Sequence, residues 1–452
     1  MVKKKRSLST TQIVLLSFLA AIFVGSLLLS LPISAADGCP VPYIDALFTA
    51  TTSTCVTGLV TLPTATAWSS FGHVVILVLI QIGGLGIVTV MSGVMMLLNR
   101  KMGISDRLLI QDAFNLNTMA GLTKFVRNVL VGTLTVELLG ALLYMTVFIP
   151  EFGLRGIWIS WFTAVSAFCN AGIDIIGLNS LCDYATNPLI NLTSGLLIAL
   201  GGLGYIVWWD VLRVMQSRSR KNPHFFRHLT LHSKIAITAT LALLFAGALI
   251  FLLTEFHNPF TIGNLSLWDK IQVSLFQSVT TRTAGFASVP QEHLTNAGAL
   301  SSLVLMVIGG SPVGTAGGIK TVTLVTLLAS AQATIRGKKY ASLFHRTITV
   351  SSIRKAVAVV STFMMILLAS TILLASCTDA PALDILYESV SATATVGLSR
   401  NLTASLNLWG KLVIIATMYF GRVGPISLAV ALGSGSEGQN LVSDPPEEIC
   451  IG

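Results

Sequence analysis

Seven stretches of this chain, near 12–33, 74–98, 126–149, 190–212, 234–254, 354–376 and 408–432, hold enough consecutive apolar residues to cross a bilayer as helices. An eighth, 301–335, is interrupted by glycine and proline. So many spans leave few folds open. Inside hydrocarbon every backbone N–H and C=O must be satisfied within the protein, which permits helices, and irregular backbone only where protein or water covers it. Charged residues make up 10% of the 452 and mean hydropathy is +0.79, whereas a soluble domain carries about 25% charge. The expectation is an all-α polytopic membrane protein with eight spanning helices, one of them broken. The basic tail Lys3-Lys4-Lys5-Arg6 precedes a run of full spanning length with no clear A-x-A-like cleavage site after it. A retained first helix is therefore expected rather than a removed leader.

The formal net charge of +9 reads as topology, because the bases lie between apolar spans and no aromatics interleave with them as nucleic-acid binding would require. The N-tail, 99–127, 213–234 and 336–355 hold 4, 5, 6 and 6 bases, which is 21 of the 28 on one side. By the positive-inside rule both termini are cytoplasmic. Six cysteines at 39, 55, 169, 182, 377 and 450 have neither metal-ligand spacing nor the density of a disulfide scaffold.

Between the spans lie four moderately apolar stretches of about a dozen residues, too short to cross and suited to re-entrant helices. They begin near Tyr43, Trp158, Trp268 and Leu383. Each runs into a segment centred on one glycine: Thr54 to Gly58, Phe168 to Gly172, Thr281 to Gly285 and Thr393 to Gly397. These glycines recur at intervals of 114, 113 and 112 residues. A second glycine series follows at Gly83-Gly84-Leu85-Gly86, Gly201-Gly202-Leu203-Gly204, Gly309-Gly310-Ser311-Pro312 and Gly421-Arg422-Val423-Gly424-Pro425. The chain thus divides into units 1–100, 101–225, 226–340 and 341–452, each a helix, a pore helix, a filter segment and a helix around one pore.

Chemistry favours a cation at their junction. Backbone carbonyls can replace an ion's hydration shell without burying a fixed charge, glycine lets successive carbonyls face one axis, and helix C-termini turned inward favour positive charge. Isolated small residues in membrane helices are often packing positions, but four at constant spacing after four short stretches point to a filter. Its residues are Val56, Thr57 and Gly58, then Asn170, Ala171 and Gly172, then Thr283, Ala284 and Gly285, then Thr395, Val396 and Gly397. The side chains of Thr57, Asn170, Thr283 and Thr395 are expected to hold the segments by hydrogen bonds.

The interruption at 309–320 contains five glycines and Pro312 among Gly309 to Lys320, too many for a helix. It lacks the G-x-x-x-x-G-K-[ST] spacing of a phosphate cradle. An intramembrane loop is expected, involving Gly310, Ser311, Pro312, Gly314, Thr315, Gly317, Gly318 and Lys320. Arg422 lies inside the last span, where a charge must face protein or water. It either bridges to Glu137 or backbone carbonyls, or contacts this loop near the permeation path. Arg282, three residues before Gly285, is expected to brace its segment from behind. Enzyme chemistry has no support: H-E-x-x-H is absent, no acids pair across facing spans, and the seven histidines lie at span edges or in loops.

In combination, Thr57-Gly58, Asn170-Ala171-Gly172, Thr281 to Phe286, Thr395-Val396-Gly397-Leu398 and Gly421 to Pro425 resemble the K+ transporter superfamily of KtrB, TrkH and plant HKT proteins. The likeness runs from about residue 12 to 432 and is nearest to bacterial KtrB in length, the extra N-terminal helix pair of TrkH-type members being absent. It implies K+ as the transported ion bound at the filter, no organic cofactor, and a homodimer with one pore per subunit in the bacterial cytoplasmic membrane. It also implies a gate in loop 309–320 and a cytosolic nucleotide-binding ring of the TrkA/KtrA type. A Na+-coupled K+ carrier is the alternative, with Na+ as co-ion. Cys55 and Cys169 depart from the family pattern and are expected to affect packing more than selectivity. Basic loops near Arg218, Arg220 and Lys221 are expected to dock the ring or touch membrane lipid; no nucleic acid is expected.

Overall fold

The computed structural model describes residues 10–98, 103, 108, 121–216 and 225–424. Four long helices, α1 (Thr10–Leu29), α6 (Leu122–Phe152), α10 (Leu231–Glu255) and α14 (Val350–Ala375), are each long and apolar enough to cross a membrane. Each is followed by a short helix: α2 (Tyr43–Cys55), α7 (Arg155–Cys169), α11 (Leu267–Thr280) and α15 (Ala382–Ala394). After each glycine segment the chain returns in a further helix, α4 (Ser70–Leu85), α8 (Pro188–Leu203), α12 (Asn296–Val307) or α16 (Leu408–Val423). One turn of helix, α3 (Thr64–Ala67), precedes α4. A two-stranded hairpin, β1 (Ser342–Leu343) with β2 (Arg346–Thr347), lies between the third and fourth units.

Polarity is inverted relative to a soluble protein. The long helices turn large apolar side chains outward, among them Phe23, Phe245, Leu253 and Met365. The short helices are buried and rich in hydroxyls, several of which are satisfied on the preceding turn: Thr51 donates to Leu47 O at 2.7 Å, Ser53 to Thr49 O at 2.6 Å and Thr54 to Ala50 O at 2.8 Å. Three of them, α2, α11 and α15, carry an acid in the first turn (Asp45, Asp269 and Asp384), which suits the positive end of the helix dipole. Two of these acids also tie units together. Asp45 in α2 pairs with Lys411 in α16 at 2.6 Å, joining the first unit to the last. Asp384 in α15 pairs with Arg400 at 2.6 Å, and Arg400 donates to Gln291 O of the third unit at 2.9 Å.

One expected feature needs correction. The sequence reading allowed a single broken span, 301–335, and it is indeed split into α12, an irregular stretch and α13 (Thr321–Ile335). Two spans read as continuous are broken as well. Gly86 separates α4 from α5 (Ile87–Leu97) with a bend of 101°, and Gly204 separates α8 from α9 (Tyr205–Gln216) with a bend of 94°. Their φ values of 81° and 85°, with ψ of 138° and 144°, are conformations that glycine alone adopts readily. Gly424 ends α16 in the same conformation, φ 92° and ψ 135°. Hydropathy missed these breaks because both flanks are equally apolar. Residues 425–432 of the expected last span lie outside the described residues.

The second glycine series is a packing device. A Cβ on Gly83, Gly201 or Gly421 would run into the carbonyl oxygen of Thr54, Phe168 or Thr393, each four residues before a central glycine. Only a hydrogen lets the returning helix lie against the end of the short one. In the third unit Gly309 meets Gly317 O of the irregular stretch instead. Gly421→Ala should therefore destabilise by about 1–3 kcal/mol, since rigid backbone must shift. Gly38→Ala, at φ 72° with nothing within 4 Å, meets only the backbone penalty of about 1 kcal/mol. Thermal unfolding in detergent checks this; equal midpoints for the two variants would contradict the close approach.

Candidate functional site

A left-handed residue caps α2, α7 and α15 and stands three residues after the end of α11, and two residues later in each case stands a glycine with positive φ. The left-handed residues are Val56 (φ 54°), Asn170 (60°), Thr283 (68°) and Thr395 (51°); the glycines are Gly58 (101°), Gly172 (63°), Gly285 (85°) and Gly397 (98°). Three of the left-handed residues are β-branched, for which this region costs on the order of 1–3 kcal/mol each and persists only where the surroundings enforce it. Such repeated strain marks a functional place.

The four segments close into a ring. A Cβ on Gly58 would stand 2.5 Å from Ala171 O, on Gly172 2.5 Å from Ala284 O, and on Gly285 2.6 Å from Val396 O. On Gly397 it would collide with Thr57 O, back in the first segment. Each glycine thus faces the carbonyl that precedes the next unit's glycine, in the cyclic order of the units. Carbonyl-bearing ends of the four short helices abut this ring, so its electrostatic environment suits a cation.

Hydroxyls hold the ring, though not those expected. Thr52 Oγ1 accepts from Gly58 N, Ser166 Oγ from Ile173 N and Ser391 Oγ from Gly397 N, all at 3.0 Å, while Thr280 Oγ1 donates to Phe286 O at 2.6 Å. The sequence reading passed over these residues, whose only signal is a hydroxyl six positions before the glycine in three units and five in the other. It assigned the role to Thr57, Asn170, Thr283 and Thr395. The polar side-chain atoms of Thr57, Asn170 and Thr395 are buried without hydrogen-bond partners, because the left-handed turn aims them away from their own segment. Thr283 alone is engaged, accepting from Gly317 N at 3.2 Å.

On one side of the ring a cavity of about 400 Å³ has the four glycines as its floor. Its lining includes Asp174 and Glu292 and no lysine or arginine. Burial pushes the Asp174 carboxyl up to about 6, against hydrogen bonds from Ser180 and the Ile176 and Gly177 amides that oppose the shift. It is anionic above that pH and neutral below it.

On the other side lies the stretch between α12 and α13. Ser311 N donates to Gly202 O at 2.7 Å, Thr315 N to Gly201 O at 3.1 Å, and Thr315 Oγ1 to Phe168 O at 3.0 Å. A Cβ on Gly317 would strike Thr395 Oγ1, and Gly310 N–Cα–C packs against Gly202. Pro312 and Val313 reach toward the break at Gly204, where Tyr205 N donates to Val313 O at 3.1 Å. Gly314 lies against Gly201 and Gly204, and Gly318, at φ 62°, turns the chain beside Gly309. Lys320 Nζ donates to the Ala316 and Gly317 carbonyls. Arg422 joins three units: Nη1 donates to Thr315 O at 2.6 Å and Nη2 to Gly83 O. Glu137 does not pair with it; both Glu137 carboxylate oxygens accept from Gln81 Nε2, at 3.1 and 3.2 Å. Arg282 stands behind the third segment and donates to Thr240 O at 3.4 Å and Gly309 O at 3.2 Å.

A family model described as TrkH, cation transport protein, matches residues 3–438. The chain belongs to the TrkH family. Among its relatives, the potassium/sodium uptake protein NtpJ of Enterococcus hirae is 38% identical over 99% of this chain and 98% of its own. The Ktr system potassium uptake protein B of Bacillus subtilis is 37% identical, covering 98% and 96%. The crystal structure of the potassium transporter TrkH from Vibrio parahaemolyticus shares the fold, with a TM-score of 0.74 at 15% identity over 95% of this chain and 86% of that one. The protein is thus a multi-pass membrane protein of the TrkH family.

Within this TrkH-family fold Cys169 points away from the ring: a Cβ on Gly84 would lie 2.5 Å from its Sγ, which is 3.6 Å from Gln81 Oε1. Cys55 is buried with Phe48, Ile414 and Met418. Arg218, Arg220 and Lys221 lie outside the described residues. The hydroxyl scheme gives a contrast to measure. Ser391→Ala leaves the Gly397 amide unmet and should cost about 1–3 kcal/mol, whereas Thr57→Val removes an unpartnered hydroxyl and should be near neutral. Thermal midpoints of the purified variants decide; the reverse order would return the holding role to Thr57.

Proposed function

We propose that the chain takes up K+ through the ring of glycine segments, with their carbonyls as the selectivity filter. The observation that carries this reading is the cyclic closure of Gly58, Gly172, Gly285 and Gly397 on one another's neighbouring carbonyls. A ring of backbone oxygens can exchange for a cation's water shell, and glycine admits the approach. The acidic cavity outside it gathers cations, and Val56, Thr57, Asn170, Ala171, Thr283, Ala284, Thr395 and Val396 supply the oxygens and the fixed turns. The names of the Bacillus and Enterococcus relatives, which speak of potassium uptake and of potassium/sodium uptake, support the choice of ion. The four units 1–100, 101–225, 226–340 and 341–452 are the quadrants of one pore. The protein works as a homodimer in the bacterial cytoplasmic membrane, with both termini cytoplasmic.

Loop 309–320 is the gate. It lies across the path on the side of Thr283 and Thr395, and the positive charges of Lys320 and Arg422 stand there. Besides the arginine bonds, the loop is held by the three bonds to Gly201, Gly202 and Phe168, by the one from Tyr205 N to Val313 O and by that to Thr283. At about 1 kcal/mol net for each bond, opening costs a few kcal/mol, which partner binding can supply. A cytosolic nucleotide-binding ring of the TrkA/KtrA type, docked on the basic loops, would move α13 and draw the loop aside. A Na+-coupled K+ carrier is the second reading, favoured by the potassium/sodium uptake in the name of the Enterococcus relative.

Two measurements bear on this. Gly58→Ser adds a Cβ against Ala171 O and should lower the Rb+/Na+ uptake ratio at least about tenfold, equivalent to about 1.4 kcal/mol of discrimination. An unchanged ratio would remove Gly58 from the filter, and Na+-dependent Rb+ uptake in the wild type would favour the carrier. Deleting Gly314 to Gly318, or Arg422→Ala, should raise Rb+ flux and weaken its dependence on the regulatory ring. Wild-type regulated flux in both, with normal membrane levels, would leave the loop a structural break only.

A further inference from the structure

Behind the third glycine segment, on the side away from the ring's axis, lies a small cavity of about 20 Å³. That is room for one monatomic ion or one water. Its polar lining comes from Arg282 of the third segment and Thr240 of α10, with backbone of Gly202 in α8 and Gly310 in the gating loop; Val279 and Leu244 are among its apolar walls. Three independent observations meet here. Arg282 is only 7% exposed, and it makes no ion pair among the described residues, the pairs there being Asp210–Arg213, Asp384–Arg400 and Asp45–Lys411. Its Nε is buried without a hydrogen-bond partner. So is Thr240 Oγ1, which lines the same cavity.

A guanidinium buried in a membrane protein without a counter-charge is costly by several kcal/mol, and its two long carbonyl contacts do not neutralise it. A ligand for this place must accept from Arg282 Nε–H and can accept from the Thr240 hydroxyl. The adjoining carbonyls already accept: Gly202 O from Ser311 N and Gly310 O from Thr321 N. A water could still use the second lone pairs of these carbonyls, but it brings no charge to set against the unpaired Arg282 guanidinium, whereas a halide supplies that charge and has no hydrogens to place. We propose that this cavity is a chloride site, in which Arg282 Nε and the Thr240 hydroxyl hold the ion. Seated there, the anion touches the loop at Gly310 and the third segment at Arg282, and its negative charge offsets the cost of a guanidinium behind a cation path. Its loss leaves Arg282 to pull harder on Gly309 O and weakens cation binding in the ring.

The test is bromide substitution in the full-length protein, followed by anomalous diffraction, with Rb+ uptake measured in proteoliposomes in chloride or gluconate. The expected result is an anomalous peak beside Arg282 Nε, absent in Arg282→Gln, and a Rb+ half-saturation several-fold higher in gluconate. Thr240→Val should raise the chloride concentration needed for half-maximal effect about tenfold, the loss of about 1.4 kcal/mol of binding. No bromide peak in the wild type overturns the site, whatever the transport activity. A peak with Rb+ uptake indifferent to chloride overturns its coupling to transport. Because the peak is read without transport, failure here is distinguishable from failure of the K+ reading.

Discussion

Four lengths of backbone meet around one axis at van der Waals distance, and the rest of the protein is arranged to permit it. The meeting requires a hydrogen where any other residue has a Cβ, because each glycine faces the carbonyl oxygen of the neighbouring unit. It also requires β-branched residues to sit in the left-handed region at Val56, Thr283 and Thr395. That strain is sustained by hydroxyls on the short helices and by the second set of glycines, which bring the returning helices onto the short ones with no side chain between. The long apolar helices outside supply the covering without which irregular backbone could not exist at membrane depth.

Charge is sorted about the ring. Acids line the cavity on one side, while Lys320 and Arg422 stand on the other. Lys320, Arg282 and Arg422 all donate to backbone carbonyls, and none makes an ion pair among the described residues. A cation bonded to carbonyls of a glycine-rich loop can be released by moving the loop alone. A carboxylate partner would resist that movement by leaving two buried charges unpaired. Of the three ion pairs among the described residues, Asp45 with Lys411 and Asp384 with Arg400 lie at the N-terminal ends of short helices, where they fasten elements that support the ring, and Asp210 with Arg213 lies within α9.

The third unit departs from the other three, and the departure is concerted. Where Gly83, Gly201 and Gly421 press on the ends of short helices, Gly309 presses on Gly317 of its own loop. Where the first two units bend at the single glycines Gly86 and Gly204, this one runs irregularly from the end of α12 to Thr321. Arg282, Thr283 and Gly309 are thereby linked to the loop by hydrogen bonds that have no counterpart in the other units among the described residues. Pseudo-symmetry builds the ring; its local failure sets an irregular, glycine-rich stretch against it.

The membrane class, the short helices and the positions of the central glycines were legible in the sequence, because each follows from local composition: run length, hydropathy and the recurrence of one residue type at intervals of 114, 113 and 112 positions. The breaks at Gly86 and Gly204 were not, since a glycine inside an apolar run reads alike whether it packs a helix or ends it. Nor could the sequence say which hydroxyls hold the segments. Thr57 and Thr52 are both small polar residues near Gly58, and only the direction given by a left-handed turn at Val56 turns one away and leaves the other facing the Gly58 amide. Arg422 could be read as needing a partner, but its choice of Thr315 O and Gly83 O over Glu137 depends on three units converging. The sequence by itself determined what must be buried and where the chain can turn. Which groups face one another across the ring was decided by tertiary structure, because such contacts join residues a hundred or more positions apart.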